Sequence, residues 1–409
     1  MTSTLDRDIS TRQQTQVNTH HYISLFSGAG GLDYGIETAP SKSGSIFRSV
    51  LAVENDKTAA ATLNAASGSG LFANLFEVFS DVRDITKTNV DQHLSKLGLT
   101  ADDVELIVGG PPCPSFSTAG NRGSVSDQSG QLVFEFLRVV EIVQPRFFLM
   151  ENVKGLLSAA LRHRPLKERG DDSAPLSKDE ELGSAKKLIL EKMEEIGYSI
   201  VYGSANSANY GSPQLRHRAL FFGSRDNEFP ENTLLEDLMP RTHYNSPDGD
   251  QLRWNTLGDA VKLPEIKGTQ EFQTYSDERR KWYELIPPGG NWRYLRDHVS
   301  IESAAIAMGG AWNSTGGRVG FYRRLSWDRP SPTLLTSPIQ KATGFCHPDE
   351  TRPLSVQEYS RVQEFHDEYP FQGSVAQRYR QIGNAVPVSL ARAAGEALHR
   401  LLESPYGSQ

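Results

Sequence analysis

The chain has 409 residues, of which 37% are hydrophobic and 23% are charged, a composition typical of a globular protein. No segment approaches the run of about 18 apolar residues that spans a bilayer, so a membrane partner is not expected. The two cysteines, Cys113 and Cys346, exclude a disulfide framework and lack the clustered spacing of a zinc site, so no metal is expected. The length favours two domains, or one large domain with an insertion.

Charge is distributed unevenly along the chain. The formal net charge of -7 argues weakly against a nucleic-acid partner, because Lys and Arg carry phosphate binding. The segment 291–330 has the opposite balance, since its six arginines outnumber its three acidic residues. An acidic body with a local arginine-rich segment is compatible with an enzyme that meets nucleic acid on one face.

Residues 1–20 are polar and contain neither an apolar signal core nor a basic leader, so they are predicted to be a mobile tail of a cytoplasmic protein. From Tyr22, short apolar runs alternate with helical stretches, which is typical of an α/β fold with a parallel sheet flanked by helices. The predicted strands are 22–26, 50–53, 104–108, 147–150 and 219–222, and the predicted helices include 58–64, 133–143 and 185–196.

The alternation of strands and helices is interrupted twice. Residues 161–182 are polar and predict a surface excursion, and the segment after Gly223 is rich in Pro, Gly, Trp, Tyr and Arg without clear periodicity. Regularity returns near Thr351 and ends in a predicted helix over 389–402. The predicted organisation is a tail (1–20), a first domain (21–224), a smaller irregular domain (225–345) and a C-terminal segment (346–409) that returns to the first domain.

The first predicted strand leads into a glycine-rich turn that opens a helix, Ser27-Gly28-Ala29-Gly30-Gly31-Leu32. Glycines let the backbone approach a ligand closely, and the free amides of a helix start favour polar or anionic groups. Asp33 stands where a dinucleotide fingerprint needs its third glycine, which disfavours a pyrophosphate-binding oxidoreductase.

Two acidic residues follow later predicted strands. Glu54 ends the second strand, where a carboxylate can accept hydrogen bonds from ribose hydroxyls, and Asp84 can receive an adenine amino group. The predicted ligand is an adenosine without a required diphosphate, and S-adenosylmethionine fits that description. The alternative interpretation is a tight turn followed by two solvated acids.

A single thiol follows the apolar run 106–108 in the segment Gly109-Gly110-Pro111-Pro112-Cys113-Pro114. The run predicts a buried strand, and the prolines fix the backbone that presents the Cys113 sulfur beyond the strand's carboxyl end. Open α/β sheets bind their ligands at this edge, so the thiol is a candidate nucleophile. The alternative is a small buried hydrophobe in a rigid turn. The polar run 114–123 predicts a loop able to close over a site.

Further charged groups adjoin two other predicted strands: one group follows the strand 147–150, and the others precede the strand 219–222. The strand 147–150 leads into Glu151 and Asn152, which places an acid at the same predicted sheet edge as the thiol. Gln214, Arg216 and Arg218 alternate in an extended segment and are expected to share one face, which would suit a phosphate, a carboxylate or a base carbonyl. The alternative for Glu151 is an acidic residue at the start of a helix, and the alternative for the two arginines is a solvent-exposed face of a strand.

These motifs resemble those of the DNA (cytosine-5)-methyltransferases of bacterial restriction-modification systems. They occur in the family's order from residue 22 to the final helix, and the segments that carry the resemblance are Phe26-Ser27-Gly28-Ala29-Gly30-Gly31, Pro111-Pro112-Cys113, Glu151-Asn152-Val153, Gln214-x-Arg216-x-Arg218 and Gly383-Asn384-Ala385-Val386-Pro387. The chain departs from the family's pattern at Pro114, where bacterial members usually carry Gln.

The resemblance implies a Rossmann-like methyltransferase sheet with helices on both faces and a covalent mechanism. The Cys113 thiolate would add to carbon 6 of a cytosine flipped out of double-stranded DNA and activate carbon 5 for methylation. Glu151 would hold the base at its ring nitrogen and amino edge, and Arg218, with Arg216 behind it, would hold the carbonyl oxygen. The implied S-adenosylmethionine pocket is Phe26, Gly28, Gly30, Leu32, Glu54, Asp84, Ile85, Pro112, Asn384 and Val386.

By the same resemblance, 225–345 matches a target recognition domain braced by the segment 323–333. Trp282, Tyr283 and Arg293 are candidates for DNA contacts, and a small core is the alternative role of the aromatic residues. We expect a monomer that protects self DNA, with or without a cognate restriction endonuclease. The remaining alternatives are a tRNA cytosine-5 methyltransferase, disfavoured by the absent Cys-Phe-Thr tripeptide, and a non-catalytic DNA-binding regulator.

Overall fold

The structure is a computed structural model that describes residues 17–70, 77–112, 131–162, 164, 168, 175–262, 264–266, 268–313 and 320–404. Cys113 and the predicted loop 114–123 lie outside the described residues, as do Arg318 and most of the predicted tail. None of the helices in the described part of the chain is long and apolar enough to cross a membrane.

The described strands, in chain order, are β1 Thr19–Leu25, β2 Ile46–Val53, β3 Glu77–Phe79, β4 Val104–Gly109, β5 Phe147–Val153, β6 Ser199–Asn206, β7 Gln214–Leu215, β8 His217–Ser224, β9 His243–Tyr244, β10 Leu252–Arg253, β11 Arg323–Arg324, β12 Ser331–Pro332 and β13 Phe345–Cys346. Seven of them form one sheet in the order β3-β2-β1-β4-β5-β8-β6. The pairs from β3 to β5 are parallel, and β8 runs antiparallel to both of its neighbours, β5 and β6.

The described α-helices are α1 Gly31–Glu37, α2 Lys57–Gly68, α3 Lys87–Lys96, α4 Gln131–Val143, α5 Ser184–Glu195, α6 Leu235–Leu238, α7 Leu257–Val261, α8 Asp277–Glu284, α9 Trp292–His298, α10 Ile301–Met308, α11 Val356–Val362, α12 Val375–Asn384 and α13 Val388–Leu402. The predicted α/β class is confirmed, and every strand and helix predicted above is present within a few residues of its expected bounds. The strands β3 and β6 were not predicted, because β3 has three residues and β6 carries Gly and Ser among its apolar positions.

Helices cover both faces of the sheet, which explains why its central strands are almost continuously apolar. Tyr22, Leu106 and Phe147 point into one core, where they meet α1 and α13. Their chain neighbours Ile23, Ile107 and Phe148 point into the other core, against α4 and α5. The two cores fix the register of the strands and therefore which residues reach each edge of the sheet.

The described residues between 225 and 345 form short helices and two-residue strands rather than a second large sheet. The aromatic residues Trp282, Tyr283 and Trp292 are buried together in one cluster, which is the core role given above as the alternative to DNA contact. A further cluster joins residues of this segment, such as Leu325, to residues of α11 and α12, such as Tyr359 and Tyr379. The segment after residue 346 therefore packs on the seven-stranded sheet through α13 and on the segment 225–345 through α11 and α12.

Substitution of Gly35 tests the close packing of α1 on α13. A Cβ atom at Gly35 would lie 2.3 Å from the Cβ of Ala391, so Gly35→Ala is expected to lower the free energy of unfolding by about 1–3 kcal/mol. Gly68→Ala is the matched helical control, because no heavy atom lies within 4 Å of the added Cβ. Thermal unfolding of both variants measures the effect, and equal midpoints would contradict this packing.

Candidate active site

At the carboxyl edge of β4 and β5, the sheet brings together two of the predicted catalytic groups, Glu151 and Arg218. Gly109, at the end of β4, pairs with Met150 of β5, so Glu151 and Asn152 extend just beyond the last residue of β4. The antiparallel β8 begins where β5 ends, and the register pairs Val153 with Arg218. The sheet thus brings a carboxylate and a guanidinium group to the edge from which residues 110–112 depart.

Glu151 and Arg218 form a mostly buried ion pair. Their Oε1 and Nε atoms are 2.6 Å apart, and the side chains are 11% and 12% exposed. Burial lowers the pKa of Arg218, and the attraction of Glu151 opposes that shift. A Cβ atom at Gly110 would lie 3.0 Å from Oε2 of Glu151, so glycine at this position leaves space for the carboxylate beside the chain that leads to the thiol.

Asn152 fixes the chain immediately before the predicted nucleophile. Its Nδ2 donates to the carbonyl oxygen of Pro111 at 2.9 Å, and its Oδ1 accepts from the N–H of Val153. Asn152 is 3% exposed, so this hydrogen bond is shielded from water. The end of β5 therefore positions a residue two places before Cys113, a contact that sequence reasoning did not foresee.

Arg216 is placed differently from Arg218. Its guanidinium group is buried and donates to the carbonyl oxygens of Leu334, Gly383 and Asn384. Gln214, which was expected on the same face, is also buried and donates to Gln363. Arg216 thus braces the segment that contains Gly383 and Asn384, and this geometry favours a positioning role over contact with a substrate. His217, for which no role was predicted, is exposed.

The glycine-rich turn is held against the end of β2. Phe26 has a φ of 56° and Gly28 a φ of 57°, so the chain reverses sharply before α1 begins. The N–H of Gly28 donates to Oε2 of Glu54 at 2.7 Å, and the N–H of Asp56 donates to Oε1. Burial raises the pKa of Glu54, whereas these two N–H groups lower it. No heavy atom lies within 4 Å of a Cβ position on Gly28, which leaves open space beside the turn.

The other predicted pocket residues differ in exposure. Gly30 is the N-cap residue of α1, and Leu32 is buried in its first turn. A Cβ atom at Gly31 would lie 2.8 Å from the carbonyl oxygen of Val386, so Val386 packs closely against the start of α1. Asp84, Pro112 and Asn384 are exposed, and Asn384 is the last residue of α12. The side chain of Ile85 is fully buried in the core and its carbonyl accepts from Arg138. Only the backbone of Ile85 is therefore suited to a ligand.

Asp33 was noted in the sequence only as a missing glycine, and the structure gives it a buried position. It is 4% exposed and accepts a hydrogen bond from the hydroxyl of Tyr22 at 3.2 Å. Burial raises its pKa to about 6. The carboxyl group of Asp33 therefore links the first turn of α1 to Tyr22 of β1.

The segment 323–333 contacts both parts of the chain, as expected of a brace. The N–H groups of Leu257 and Gly258 donate to the carbonyls of Arg329 and Trp327. In the same segment β12 pairs with β7, which directly precedes Arg216 and β8. Arg324 is buried and donates to several carbonyls, whereas Arg293 and Arg329 are exposed.

Comparison with known proteins identifies the family. The family model described as C-5 cytosine-specific DNA methylase matches residues 20–400. Type II methyltransferase M.Sau96I of Staphylococcus aureus is 34% identical over 394 residues, covering 96% of this chain and 79% of that protein. Type II methyltransferase M.PspPI of Psychrobacter sp. (strain TA137) is 36% identical over 395 residues, covering 94% of this chain and 80% of that protein.

The chain belongs to the C-5 cytosine-specific DNA methylase family, and it is a DNA (cytosine-5)-methyltransferase. The resemblance derived from the short motifs is confirmed. The crystal structure of the S. pombe Dnmt2 methyltransferase is also similar, with a TM-score of 0.57 over 95% of this chain and 100% of that chain. At 16% identity, this likeness supports the shared fold alone.

Replacement of Asn152 tests whether its contact with Pro111 positions the nucleophile. Asn152→Ala and Asn152→Asp both lose the donor, and Asp keeps the acceptor for the Val153 N–H. Each is expected to lower kcat for methyl transfer to duplex DNA about fivefold with little change in KM, since one such hydrogen bond contributes about 1 kcal/mol. Asn64→Ala, on the exposed face of α2, is the control. Unchanged kcat in both Asn152 variants would contradict the positioning role.

Proposed function

We propose that the protein transfers a methyl group to carbon 5 of a flipped-out cytosine in a short duplex DNA sequence through a covalent adduct with Cys113. The observation that carries the proposal is the Glu151–Arg218 ion pair, which lies beside Gly110 and the chain leading to the thiol. A carboxylate and a guanidinium group in one small space match the amino edge and the carbonyl oxygen of cytosine. Cytosine reaches such a recessed pair only when it leaves the base stack.

In the proposed reaction the Cys113 thiolate bonds to carbon 6 of the base, and the electron density moves toward carbon 5. Glu151 holds the amino edge and the ring nitrogen. It takes up a proton from water as the base enters and passes this proton to the ring nitrogen, which lowers the cost of the added charge, and it receives the proton back when the ring becomes aromatic again. Arg218 holds the carbonyl oxygen and keeps Glu151 oriented. Once carbon 5 carries the methyl group, its proton is lost to a base and the bond from carbon 6 to sulfur breaks, which restores the thiolate.

The cofactor of this proposal is S-adenosylmethionine, which supplies the methyl group that carbon 5 accepts. The open space beside Gly28 and the buried carboxylate of Glu54 fit an adenosine with hydroxyls at the end of β2. Asp84, which follows β3 at the same edge, is exposed and available to an adenine amino group. Pro112 and Asn384 are exposed where they can border the pocket, and Arg216 holds the backbone of Asn384 in place.

The proposed partner is double-stranded DNA, and the segment 225–345 is the proposed target recognition domain. The exposed Arg293 and Arg329 lie in this segment and are suited to phosphate contact. The related proteins are Type II methyltransferases, which supports a role in protecting self DNA within a restriction-modification system. A monomer suffices, because one active site modifies one base at a time.

Covalent trapping tests the adduct directly. A long duplex made with 5-fluorodeoxycytidine in place of deoxycytidine contains every short sequence, and its fluorine cannot leave as the proton does. With S-adenosylmethionine, the wild-type protein is expected to form a complex that survives denaturant, and Cys113→Ala none. Glu151→Gln is expected to react about 100-fold more slowly, because it cannot donate the proton. Trapping on fluorinated tRNA but not on DNA would contradict the DNA substrate, and retention by Cys113→Ala would contradict the nucleophile.

Isothermal titration without DNA tests the cofactor pocket. Glu54→Ala is expected to weaken S-adenosylmethionine binding about 10- to 100-fold, since hydrogen bonds to a charged group contribute about 1.5–3 kcal/mol. Asp91→Ala removes an exposed carboxylate from α3 and serves as the matched control. Equal affinities of the Glu54 and Asp91 variants would contradict the assignment of Glu54.

A further inference from the structure

The start of β1 and the end of α13 meet at the sheet edge opposite the candidate active site. His20 lies near the amino end of β1, and His399 and Glu403 lie one turn apart at the end of α13. His20 is 3% exposed and His399 is 1% exposed, and both rings contact Phe47. One nitrogen of each ring and one oxygen of Glu403 lie within 4.8 Å of one another.

The contacts of His20 define its tautomer. Its Nδ1 is 2.6 Å from Oε2 of Glu105, and an ionised carboxylate only accepts hydrogen bonds, so the Nδ1–H of His20 is the donor. The lone pair is then on Nε2, which is buried and has no hydrogen-bond partner. A histidine that donates one nitrogen to a carboxylate and presents the other is the usual arrangement of a metal ligand.

His399 and Glu403 are oriented by serines. Nδ1 of His399 lies 3.0 Å from the hydroxyl oxygen of Ser45, and Nε2 of His399 is buried without a hydrogen-bond partner. The hydroxyls of Ser43 and Ser45 donate to Oε1 of Glu403, as does that of Ser41.

We propose that His20, His399 and Glu403 bind a divalent transition metal, with Zn²⁺ as the favoured ion. Two imidazole nitrogens and one carboxylate oxygen are a common zinc ligand set, and a water molecule completes the tetrahedron. Nδ1 of His399 lies 3.7 Å from Oε1 of Glu403. The metal also gives a partner to Nε2 of His20, a buried nitrogen without a hydrogen bond, and unsatisfied buried polar atoms are costly. The metal joins the start of β1 to the end of α13, so its effect is on stability rather than on methyl transfer.

The test uses full-length protein without an affinity tag, in the Cys113→Ala background so that this thiol does not bind the metal. Zn²⁺ titrated by calorimetry at pH 7.5 is expected to bind one ion per chain and to raise the midpoint of thermal unfolding. Zinc K-edge spectroscopy is expected to show nitrogen and oxygen ligands at about 2.0–2.1 Å and no sulfur. Absence of binding by this protein, or sulfur in the coordination shell, would overturn the proposal.

Matched variants locate the metal. Glu403→Gln keeps a carbonyl oxygen for the serines and removes the charge, and it is expected to weaken zinc affinity at least tenfold, as does His399→Gln. Glu396→Gln, on the same helix, and His366→Gln, an exposed histidine, are the controls and are expected to bind as the parent does. If His399→Gln does not fold, the zinc affinity of Glu403→Gln alone tests the assignment of the ligands. Parent-like zinc affinity in Glu403→Gln would overturn that assignment.

Discussion

The direction of β8 is the constraint on which the site depends. Because β8 runs antiparallel to β5, its first residues lie beside the last residues of β5, and Arg218 reaches Glu151. In a parallel strand the same arginine would begin at the opposite edge of the sheet. Each of the two charges is mostly buried, so removing either leaves the other unpaired, at a cost of about 3–5 kcal/mol in comparable buried pairs. The two residues are therefore best regarded as one unit.

A network of buried amides and carbonyls links this pair to the proposed cofactor turn. Gln214 donates to Gln363, which in turn donates to the carbonyls of Ile382 and Ala385. Arg216 holds Gly383 by its carbonyl, and the next residues pack against the start of α1. The segment just before β8 and the glycine-rich turn thus share one support. A substitution in this hydrogen-bond network would therefore affect the proposed cytosine site and the proposed cofactor site together.

Sequence patterns predicted the sheet well because its strands are buried on both faces and read as continuous apolar runs. They also predicted that Glu151 would lie at the edge of the thiol. Patterns alone did not bring Arg218 there, because Arg218 precedes its strand and a parallel strand would have placed it at the opposite edge; the antiparallel direction of β8 was not predicted, and only the family resemblance put both residues on one base. Patterns could not predict that Arg216 and Arg218 have different environments. The alternation of side chains along a strand predicts that both point to the same face, but it does not tell which of the two is covered by a segment distant in sequence, such as 383–384. The contact of Asn152 with Pro111 and the cluster of His20 with His399 join residues far apart in the chain. No local spacing encodes them.

The account rests on Glu151 and Arg218 acting together on the cytosine, and a double-mutant cycle on kcat/KM for methyl transfer measures this most directly. Glu151→Gln, Arg218→Met and the double variant would be compared with the wild-type protein on duplex DNA. If the pair acts as a unit, the double variant loses little more activity than the worse single variant, because either change already disables the pair. If the two losses multiply, the residues act independently, which would contradict the central claim.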